Sequence, residues 1–559
     1  MTYGIDSVPA SEPLDAIVIG AGFAGLYMLY RLREDGFSVR GFERGDGVGG
    51  TWHWNRYPGA RCDSEIMWYS FSFLPDIEQE WPLTERYPGQ PDILHYLEHV
   101  ATRLDLHKDF TFGAQVTSLE YDGGSGLWTL RTAQGHTATA RYVVTAVGCL
   151  SAANRPQFPG RDSFAGRSLH TGDWPREPVD LTGQRVGVIG TGASAIQAIP
   201  VIAEQAAHLT VFQRTAQFTI PAENGPLDQD YVSLVKRNYP EWRRRARESR
   251  GGMPNPTSTL SALEVSADQR RVIYEAAWGA GGFGFTFGTF RDLLVNEESN
   301  ATAADFVRGK IDEIVGDPEV ADMLKPHAFP FATKRLPLDT NYYQTFNRPN
   351  VTLVDLRRTP IEEITPDGVR TSAGDHDLDV LVYATGFDAL TGPLEALGIR
   401  GRGGQSLGDA WRDGPRTYLG LGVPGFPNLF TITGPGSPSV LSNMPVAIEQ
   451  HVEWIGGCLR ELRSRGAGTI EATGPATEAW TGHVQEVAHR TLYPKAASWY
   501  MGANIPGKPR LFLPYVGGLN VYQCEIDEVA ANGYEGFTVS GCPQSGPDSN
   551  PAPAASQSR

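Results

Sequence analysis

The sequence predicts an α/β fold, and three observations lead to this prediction. A glycine turn joins a strand-like run to a helix-like run at "AIVIGAGFAG", and a second such turn follows about 170 residues later at "RVGVIGTGASA". Between residues 228 and 325 such turns are missing, and helix formers with charged faces dominate. Strands and helices that alternate around glycine turns are typical of parallel sheets. We therefore predict two Rossmann-like dinucleotide-binding domains with a helical insertion.

The composition indicates a soluble globular protein of more than one domain. The chain has 559 residues, which is more than a single hydrophobic core usually serves. Its formal net charge is -16, and an acidic surface repels nucleic-acid phosphates and anionic lipid headgroups. We therefore expect neither nucleic acid nor a membrane among its partners.

The five cysteines are scattered and include no C-x-x-C pair, so the dithiol motif of disulfide reductases is missing. No cleavable leader is visible, and the apolar run at the first glycine turn is too short to span a bilayer. These observations predict a cytoplasmic protein. The polar, proline-containing ends, residues 1–13 and 539–559, are predicted to be disordered.

The first glycine turn has the context that a dinucleotide site requires. Gly20 permits the tight turn, Gly22 lets the backbone approach a pyrophosphate, and Gly25 lets the helix pack closely. The N-terminus of that helix favours phosphate charge. Glu43 ends the next strand, where its carboxylate can accept hydrogen bonds from ribose hydroxyls. The turn therefore predicts a nucleotide with an unphosphorylated 2′-OH.

The second turn keeps Gly190 and Gly192 but has Ala195 in the third position, which is a permitted variant. Its next strand is followed by Arg214 and Thr215 instead of an acidic residue. A guanidinium at this point favours a ribose 2′-phosphate, and therefore NADPH. The alternative is that Arg214 is a solvated surface cation. Two such sites predict FAD at the first turn and NADPH at the second, with electrons passing from nicotinamide to flavin.

These assignments divide the chain into segments. The FAD-binding domain is predicted over residues 14–150 and 385–538. The NADP-binding domain and its linker are predicted over 151–227 and 326–384. The helical insertion occupies 228–325.

The loop after the first strand–helix–strand unit carries a candidate for the chemistry. It reads "GGTWHWNRYPGARCD", from Gly49 to Asp63, and combines a glycine entry, a rigid Y-P-G turn and a closing carboxylate. A packed aromatic loop under the flavin would explain Trp52 and Tyr57. It would not explain Asp63.

Several separated motifs point to a known family. The segment "FAGRSLHTGDWP" has the family's spacing of Phe164, Gly166, His170, Trp174 and Pro175. The other motifs are the two glycine turns, "GGTWHWNRYPGARCD", "KRLPLDTNYY", "ATGFDALTG", "GPGSPSVLSNM" and "ASWYMGANIPGKPR". Together they resemble the flavin-dependent Baeyer–Villiger monooxygenases of type I, class B, and are similar to the phenylacetone and steroid monooxygenases. The motifs follow one another in order over nearly the whole chain.

The resemblance implies a reaction. NADPH reduces FAD, O2 adds to the reduced flavin at C4a, and the peroxyflavin inserts one oxygen atom beside a ketone carbonyl, giving an ester or lactone. A fixed cation must stabilise negative charge in that site. By residue matching it is Arg335, with Asp63 behind it to hold the guanidinium. The implied partners are a small-molecule ketone and O2, and we expect a monomer or weak homo-oligomer.

Three alternatives remain at this point. An N- or S-oxygenating flavin monooxygenase shares both nucleotide folds, but Arg335, Asp63 and His170 count against it. A disulfide reductase would need the missing cysteine pair. A non-catalytic dinucleotide sensor would not explain the arginine–aspartate pair.

Residue matching to the family also implies cofactor contacts. Lys334 would contact the NADPH ribose phosphate with Arg214 and Thr215, and Trp499 would close over the nicotinamide, although Trp499 would equally suit an ordinary core position. The other implied contacts are Thr51, Trp52, Trp54, Arg61, Cys62, Asp63, Tyr69, Val116, Thr191, Ala193, Ser194, Gln197, Arg335 and Met444. No metal site is predicted.

Two histidines and one loop are predicted to lie between the domains, beside the flavin loop or beside the substrate pocket. Oxygen insertion needs a cation that stays protonated at neutral pH, which histidine does not guarantee. The resemblance places His170 in the linker between the domains, so we interpret it as a hinge residue that keeps them in register. His53 stands beside the flavin loop, where relatives more often carry tyrosine. The loop from Gly436 to Leu441 is expected beside the substrate pocket.

Overall fold

The computed structural model describes residues 12–541 of the chain. Of the two ends for which the sequence predicts disorder, residues 1–11 and 542–559 lie outside the described residues. Residues 539–541 differ from that prediction, because they complete a strand that pairs with Ala467–Ala472. Within the described residues, no helix is long and apolar enough to cross a membrane.

Strands and helices alternate along the described chain. The strands are β1 (Leu14–Ile19), β2 (Val39–Phe42), β3 (Phe110–Thr111), β4 (Val116–Asp122), β5 (Leu127–Thr132), β6 (Thr137–Thr145), β7 (Arg167–His170), β8 (Arg185–Ile189), β9 (His208–Gln213), β10 (Ile220–Pro221), β11 (Leu338–Asp339), β12 (Val351–Asp355), β13 (Ile361–Thr365), β14 (Gly368–Thr371), β15 (Gly374–Asp377), β16 (Val380–Tyr383), β17 (Ile399–Arg400), β18 (Leu429–Thr431), β19 (Ala467–Ala472) and β20 (Phe537–Gly541). The α-helices are α1 (Phe23–Glu34), α2 (Thr51–Trp54), α3 (Pro75–Glu80), α4 (Gln90–Arg103), α5 (Ala193–Gln205), α6 (Gln229–Arg237), α7 (Tyr239–Glu248), α8 (Ala267–Ala280), α9 (Gly284–Gly288), α10 (Glu297–Ile314), α11 (Pro318–Leu324), α12 (Tyr342–Thr345), α13 (Gly392–Glu395), α14 (Leu407–Ala410), α15 (Met444–Ser464), α16 (Gly474–His489) and α17 (Leu519–Ala531).

The first domain is built on an eight-stranded sheet of order β17-β4-β5-β6-β1-β2-β3, with β18 beside β6. Strands β3, β2, β1, β6 and β18 run parallel, whereas β4, β5 and β6 form an antiparallel meander. Helices α1 and α15 contribute apolar residues to the core that includes β1. A parallel strand with both faces buried has a continuous apolar run, as "AIVI" in β1 does.

The second domain is a five-stranded parallel sheet of order β12-β9-β8-β16-β7. Apolar residues of β8, α5, β9 and β16 form its core. Strand β7 lies at one edge and ends at His170, so the segment "FAGRSLHTGDWP" belongs to this sheet. The two sheets and their crossover helices confirm the predicted α/β fold with two Rossmann-like domains.

Helices α6 to α11 form the helical insertion, which packs against the first domain through buried charges. Arg243 in α7 contacts Glu78 in α3 at 2.7 Å, and both side chains are buried. Arg247 reaches the buried carboxylate of Glu449 in α15 at 3.3 Å. Because a buried charge is costly when its partner moves away, these pairs hold the insertion in one position.

The chain passes between the two domains through two connectors, residues 146–156 and 384–390. The connectors lie side by side: the Asn154 amide donates to the Gly386 carbonyl at 2.9 Å, and a β-bridge joins Ala153 to Phe387. The relative position of the domains is therefore set where these connectors meet.

Candidate functional site

One cavity of about 850 Å³ lies where the two domains meet, and both glycine turns open into it. A concave site of this size is typical of cofactor and ligand pockets. Of the residues that the sequence predicts as catalytic or cofactor-binding, Gly25 and Ala195 do not line this cavity, because both lie in the first turns of α1 and α5 and are buried there. The predicted residues that line it are Gly20, Gly22, Glu43, Thr51, Trp52, Trp54, Arg61, Cys62, Asp63, Tyr69, Val116, Gly190, Thr191, Gly192, Ala193, Ser194, Gln197, Arg214, Thr215, Lys334, Arg335, Met444 and Trp499.

The first turn has the geometry of a dinucleotide cradle. Gly20 has φ 106°, and a Cβ there would lie 2.4 Å from the Ala146 carbonyl oxygen. The carboxylate of Glu43 is buried and accepts hydrogen bonds from the Ala21 amide at 2.8 Å and the Gly45 amide at 2.7 Å. No side chain caps the N-terminus of α1, so its first amides are available to a phosphate.

Two cations that have no carboxylate partner among residues 12–541 share the cavity with the second turn. Helix α5 also begins without a side-chain cap, at Gly192. Beyond the end of β9, Arg214 lines the cavity together with Lys334. Neither forms an ion pair with any residue between 12 and 541. Burial and the charge of Arg214 lower the pKa of Lys334. Two unpaired cations beside a phosphate-binding helix fit a nucleotide that carries a 2′-phosphate.

Asp63 and Arg335 meet at the wall of the cavity. The Arg335 Nη2 atom lies 3.1 Å from Asp63 Oδ2, and the arginine side chain is 34% exposed while the aspartate is 8% exposed. Burial raises the pKa of Asp63, and the adjacent guanidinium counteracts that rise. Burial lowers the pKa of Arg335, but the Asp63 charge outweighs it and the net pKa is raised. The guanidinium is therefore charged and faces the cavity.

Near this guanidinium lie Val440, from the loop expected beside the substrate pocket, and Phe283 and Tyr500, which the sequence did not identify. Arg335 Nη1 approaches the Val440 carbonyl at 3.5 Å, and the positive charge of the guanidinium acts on the nearby Tyr500 hydroxyl, partly offsetting the rise that burial causes in its pKa. The Phe283 ring, from the helical insertion, lies 5.6 Å from its Cζ atom. Ser498 lines the cavity with a buried hydroxyl that has no hydrogen-bond partner within the described chain. The predicted motif around Trp499 was the one signal for Ser498 and Tyr500.

The segment that carries Arg335 is anchored by a buried carboxyl group. The hydroxyl of Thr219 donates to Asp339 Oδ2, and the Tyr342 amide donates to Oδ1 at 3.1 Å. Burial raises the pKa of Asp339 from 3.8 to about 6. The folded chain therefore retains a proton that the unfolded chain releases, and this stabilising contribution is lost as pH rises through the folded pKa.

Replacing Asp339 with asparagine should stabilise the protein at about pH 8 by ~1–3 kcal/mol, because the amide stays neutral where the buried carboxyl must ionise. Near pH 4 the two proteins should unfold with similar free energies. Denaturant unfolding at both pH values measures the difference. Asp367→Asn, at an exposed turn, is the control. A stability gain that is equal at both pH values would contradict the argument.

His170 binds both connectors and does not line the cavity. The Gly172 amide donates to its Nδ1 at 3.0 Å, so Nε2 carries the proton and faces the Asn154 carbonyl at 3.2 Å. The Thr385 hydroxyl lies 3.3 Å from the same Nε2. Burial lowers the pKa of His170, which favours the neutral ring. These contacts fit the predicted hinge residue and not an acid–base catalyst.

His53 is likewise not among the residues that line the cavity. Its Nε2 accepts a hydrogen bond from Arg176 Nη2 at 2.7 Å and lies 3.3 Å from Asp46. Arg176 directly follows the motif that contains His170. The position that departs from the family pattern therefore joins the flavin loop to the linker, through a residue next to the family motif.

Four cysteines lie in the described part of the chain, and all four are free thiols. Cys62 lines the cavity, and burial raises its pKa to about 12. A thiol with that pKa is protonated at neutral pH and is a poor redox nucleophile. Residues 12–541 also contain no cluster of His, Cys, Asp or Glu that could hold a metal ion.

Two dinucleotide turns, one shared cavity and an arginine–carboxylate pair define a nicotinamide-dependent flavoprotein. Residues 17–226 match the family described as pyridine nucleotide-disulphide oxidoreductase. Over 93% of this chain and 95% of the relative, the sequence is 44% identical to a Baeyer–Villiger monooxygenase of Pseudooceanicola batsensis. The chain belongs to the Baeyer–Villiger monooxygenase family, and it is an FAD- and NADPH-dependent monooxygenase.

Two further comparisons bear on fold and chemistry. A solved structure of oxidized steroid monooxygenase bound to NADP superposes with a TM-score of 0.90, at 50% identity over 94% of this chain and 99% of that one. A phenazine N-monooxygenase of Lysobacter antibioticus is 45% identical over 95% of this chain and 98% of its own length. The predicted family is confirmed, and the second relative shows that N-oxygenation occurs on closely similar sequences.

Proposed function

We propose that Arg335 and Asp63 carry the oxygen-insertion step, in which one oxygen atom enters beside a ketone carbonyl and an ester or lactone forms. The observation that supports this role is their 3.1 Å contact at the wall of the cavity that both glycine turns share. Bound FAD, once reduced by NADPH, supplies the electrons that activate O2. The protein contributes the charge, the orientation and the exclusion of water.

Negative charge develops on oxygen during the insertion, and a fixed cation in a shielded site stabilises it without reorganisation. Arginine suits this task because its guanidinium stays charged at any working pH and presents its donors in a rigid plane. Asp63 uses one carboxylate oxygen to orient the guanidinium of Arg335, and both residues line the cavity. The Val440 carbonyl and the Tyr500 hydroxyl limit the remaining freedom of the guanidinium.

We assign the first turn and Glu43 to FAD, because a carboxylate at the end of the second strand can accept hydrogen bonds from the ribose hydroxyls. The second turn with Arg214, Thr215 and Lys334 takes NADPH. Apart from Gln197, whose side chain binds the loop that ends at Asp63, the other cavity-lining residues that match the family's cofactor contacts complete the two sites. Trp499 borders the nicotinamide end.

Arg214→Ala should raise the dissociation constant of NADPH about 10- to 100-fold, because one charge-assisted contact to the 2′-phosphate is lost. The affinity for NADH should change little, since NADH lacks that phosphate. Titration of the oxidised enzyme with NADP⁺ and NAD⁺ measures both. Arg271→Ala, which removes an exposed arginine of helix α8, is the control. Equal weakening of both nucleotides would refute the assignment of Arg214.

The substrate is a small-molecule ketone, and a direct assay identifies its class. The enzyme is incubated with NADPH, ¹⁸O2 and ketones from phenylacetone to a steroid, and products are analysed by mass spectrometry. A product heavier by one labelled oxygen supports the proposal. Release of hydrogen peroxide with every ketone would contradict it. Val440, in the loop from Gly436 to Leu441, lines the cavity and is the side chain of that loop that we propose to contact the ketone.

N-oxygenation is the second candidate function, and the similarity to the phenazine N-monooxygenase supports testing it. Phenazine and a thioether are therefore included in the same assay. An N-oxide formed faster than any ester would make the heteroaromatic the preferred substrate class. The arginine–carboxylate pair favours the ketone, because amine and sulfide oxygenation create no tetrahedral oxyanion for the guanidinium to stabilise.

We also propose that the enzyme works in the cytoplasm as a monomer or weak homo-oligomer. Its free thiols suit a reducing compartment. Light scattering over a range of protein concentrations tests the oligomeric state.

A further inference from the structure

Gln197 connects the NADPH-binding helix to the catalytic pair. It lies in the second turn of α5, and its side chain crosses to the loop of the first domain that ends at Asp63. Its Nε2 donates to the Arg61 carbonyl at 3.1 Å and approaches Asp63 Oδ1 at 3.5 Å. Its Oε1 accepts from the Tyr57 hydroxyl at 2.8 Å. Both ends of the amide are therefore occupied by one loop of the other domain.

The loop has little room to move relative to α5. Gly59 has φ 79°, and a Cβ there would lie 2.3 Å from the backbone oxygen of Gln197. Tyr57 and Ala60, although part of the first domain in sequence, are buried in the core of the second domain. A shift of α5 must therefore be transmitted to this loop, because close-packed groups move together.

The two oxygens of Asp63 face two different partners. Oδ2 contacts Arg335 at 3.1 Å, whereas Oδ1 contacts Gln197. Helix α5 begins one turn earlier, at the amides that the NADPH pyrophosphate would approach. The phosphate-binding end of α5 and the orientation of Asp63 are thus separated by a single helical turn.

We propose that Gln197 is a positioning residue that holds Asp63 against Arg335 and links the position of the NADPH-binding helix to the oxygen-insertion step. This inference rests on the proposed roles of Arg335 and Asp63. It differs from the direct cofactor contact that the family resemblance implies for Gln197. The side-chain N–H of Gln197 favours the ionised form of Asp63, and the Tyr57 hydroxyl fixes the side-chain oxygen of Gln197.

Several ionisable groups face Asp63, so its titration has defined neighbours. Arg335 and Arg61 favour the carboxylate through their charge. The other groups that interact with it are the neutral acids Tyr57, Cys62, Tyr87 and Tyr500. Removing the Gln197 donor therefore disfavours ionisation of Asp63. The carboxylate then becomes protonated, and its ion pair with Arg335 is lost, at a higher pH than in the wild type.

Gln197→Glu and Gln197→Met test the proposal. Glutamate keeps an acceptor for Tyr57 but places a second carboxylate against Asp63, and methionine removes both hydrogen bonds at similar length. We expect ester formed per NADPH consumed to fall about tenfold in both variants. The acidic limb of the pH profile of ester formation should move up by about one pH unit, and further in the glutamate variant. FAD content per chain reports folding of each variant.

The dissociation constant of NADP⁺ separates positioning from cofactor binding. We expect this constant to stay within about twofold of the wild-type value in the methionine variant. The coupling, defined as ester formed per NADPH consumed, should stay low even at saturating NADPH. Gln205→Glu and Gln205→Met, at an exposed position of the same helix, should behave as wild type. The proposal is overturned if saturating NADPH restores coupling, or if coupling and the pH profile are unchanged in folded variants.

Arg335→Ala, assayed in parallel, keeps this inference distinct from the proposed function. If that variant still forms ester at the wild-type rate, the proposed function of the pair is wrong. If it loses ester formation while the Gln197 variants do not, only the role of Gln197 is wrong.

Discussion

Arg335→Ala should lose ester formation by about 1,000-fold or more, while NADPH still reduces the flavin at close to the wild-type rate. Reduction of the flavin requires both nucleotides to be bound, and this variant leaves unchanged the two glycine turns, Glu43 and Arg214, to which we assign them. The later oxygen-insertion step does develop such charge, in a cavity wall where Arg335 is the cation paired with Asp63. Stopped-flow absorbance of the flavin under nitrogen measures the first step, and product analysis measures the second.

Electrons that reach the flavin of this variant must still leave it. We expect NADPH consumption in air to continue with release of hydrogen peroxide, so that peroxide replaces ester as the product. Arg335→Lys is the matched variant, because lysine keeps a positive charge but lacks the planar fork that contacts the Asp63 carboxylate and the Val440 carbonyl together. It should recover part of the lost activity. Ester formation at the wild-type rate in the alanine variant would exclude Arg335 from the step.

The sequence is sufficient to predict the two glycine turns because everything that defines them is local. The strand, the turn and the helix N-terminus follow one another within about a dozen residues, and steric constraints on the backbone specify glycine at Gly20 and Gly190. The difference between Glu43 and Arg214 is local in the same way, since each is found at or just beyond the end of the second strand of its unit.

The proposed catalytic pair depends on contacts that no local pattern encodes. Asp63 and Arg335 are 272 residues apart in the chain, and each occurs in a segment whose composition does not indicate the other. Their pairing followed from the family resemblance, and the structure brings them to 3.1 Å. Residue roles of this kind require either relatives or coordinates, because docking of the domains creates them.

The contacts of Phe283 and Gln197 also could not be predicted from the sequence. The insertion was predicted from its helix formers, but nothing in its composition indicates that Phe283 lies against the Arg335 guanidinium. Gln197 follows the second turn closely enough to suggest a cofactor contact, yet its hydrogen bonds are to a loop of the other domain. Both contacts arise where elements from different domains meet.

The family motif is understood once the connectors are seen. In sequence, a histidine between two nucleotide domains suggests either catalysis or a hinge. In the structure His170 hydrogen-bonds at the point where the two connectors run side by side, and the neighbouring Arg176 binds Asp46 of the first domain. The motif therefore sits at a joint that fixes how the domains face each other, and so whether one cavity can serve both nucleotides.

Gly25→Ala is the second change with a large expected effect, and it should prevent FAD binding. A Cβ at this position would lie 1.7 Å from the Gly20 carbonyl oxygen. The clash is with backbone, and Gly20 is itself held by its amide, which donates to the Phe42 carbonyl at 2.8 Å. Because no rotamer relieves such an overlap, the cost should exceed ~3 kcal/mol. Flavin absorbance per chain in the purified protein should fall about tenfold or more.

Gly192→Ala provides the contrast, because it places the same methyl group where the protein leaves space. A Cβ at Gly192 meets no other protein atom within 4 Å, and its φ of -84° suits alanine. The methyl group would instead occupy the path by which a pyrophosphate approaches the turn. FAD content should therefore be normal, while NADPH affinity falls about tenfold. Equal loss of FAD in both variants would mean that the turns are simply fragile. Loss of FAD in Gly25→Ala alone, together with weaker NADPH binding in Gly192→Ala, would show that Gly25 is required for packing and Gly192 for its ligand.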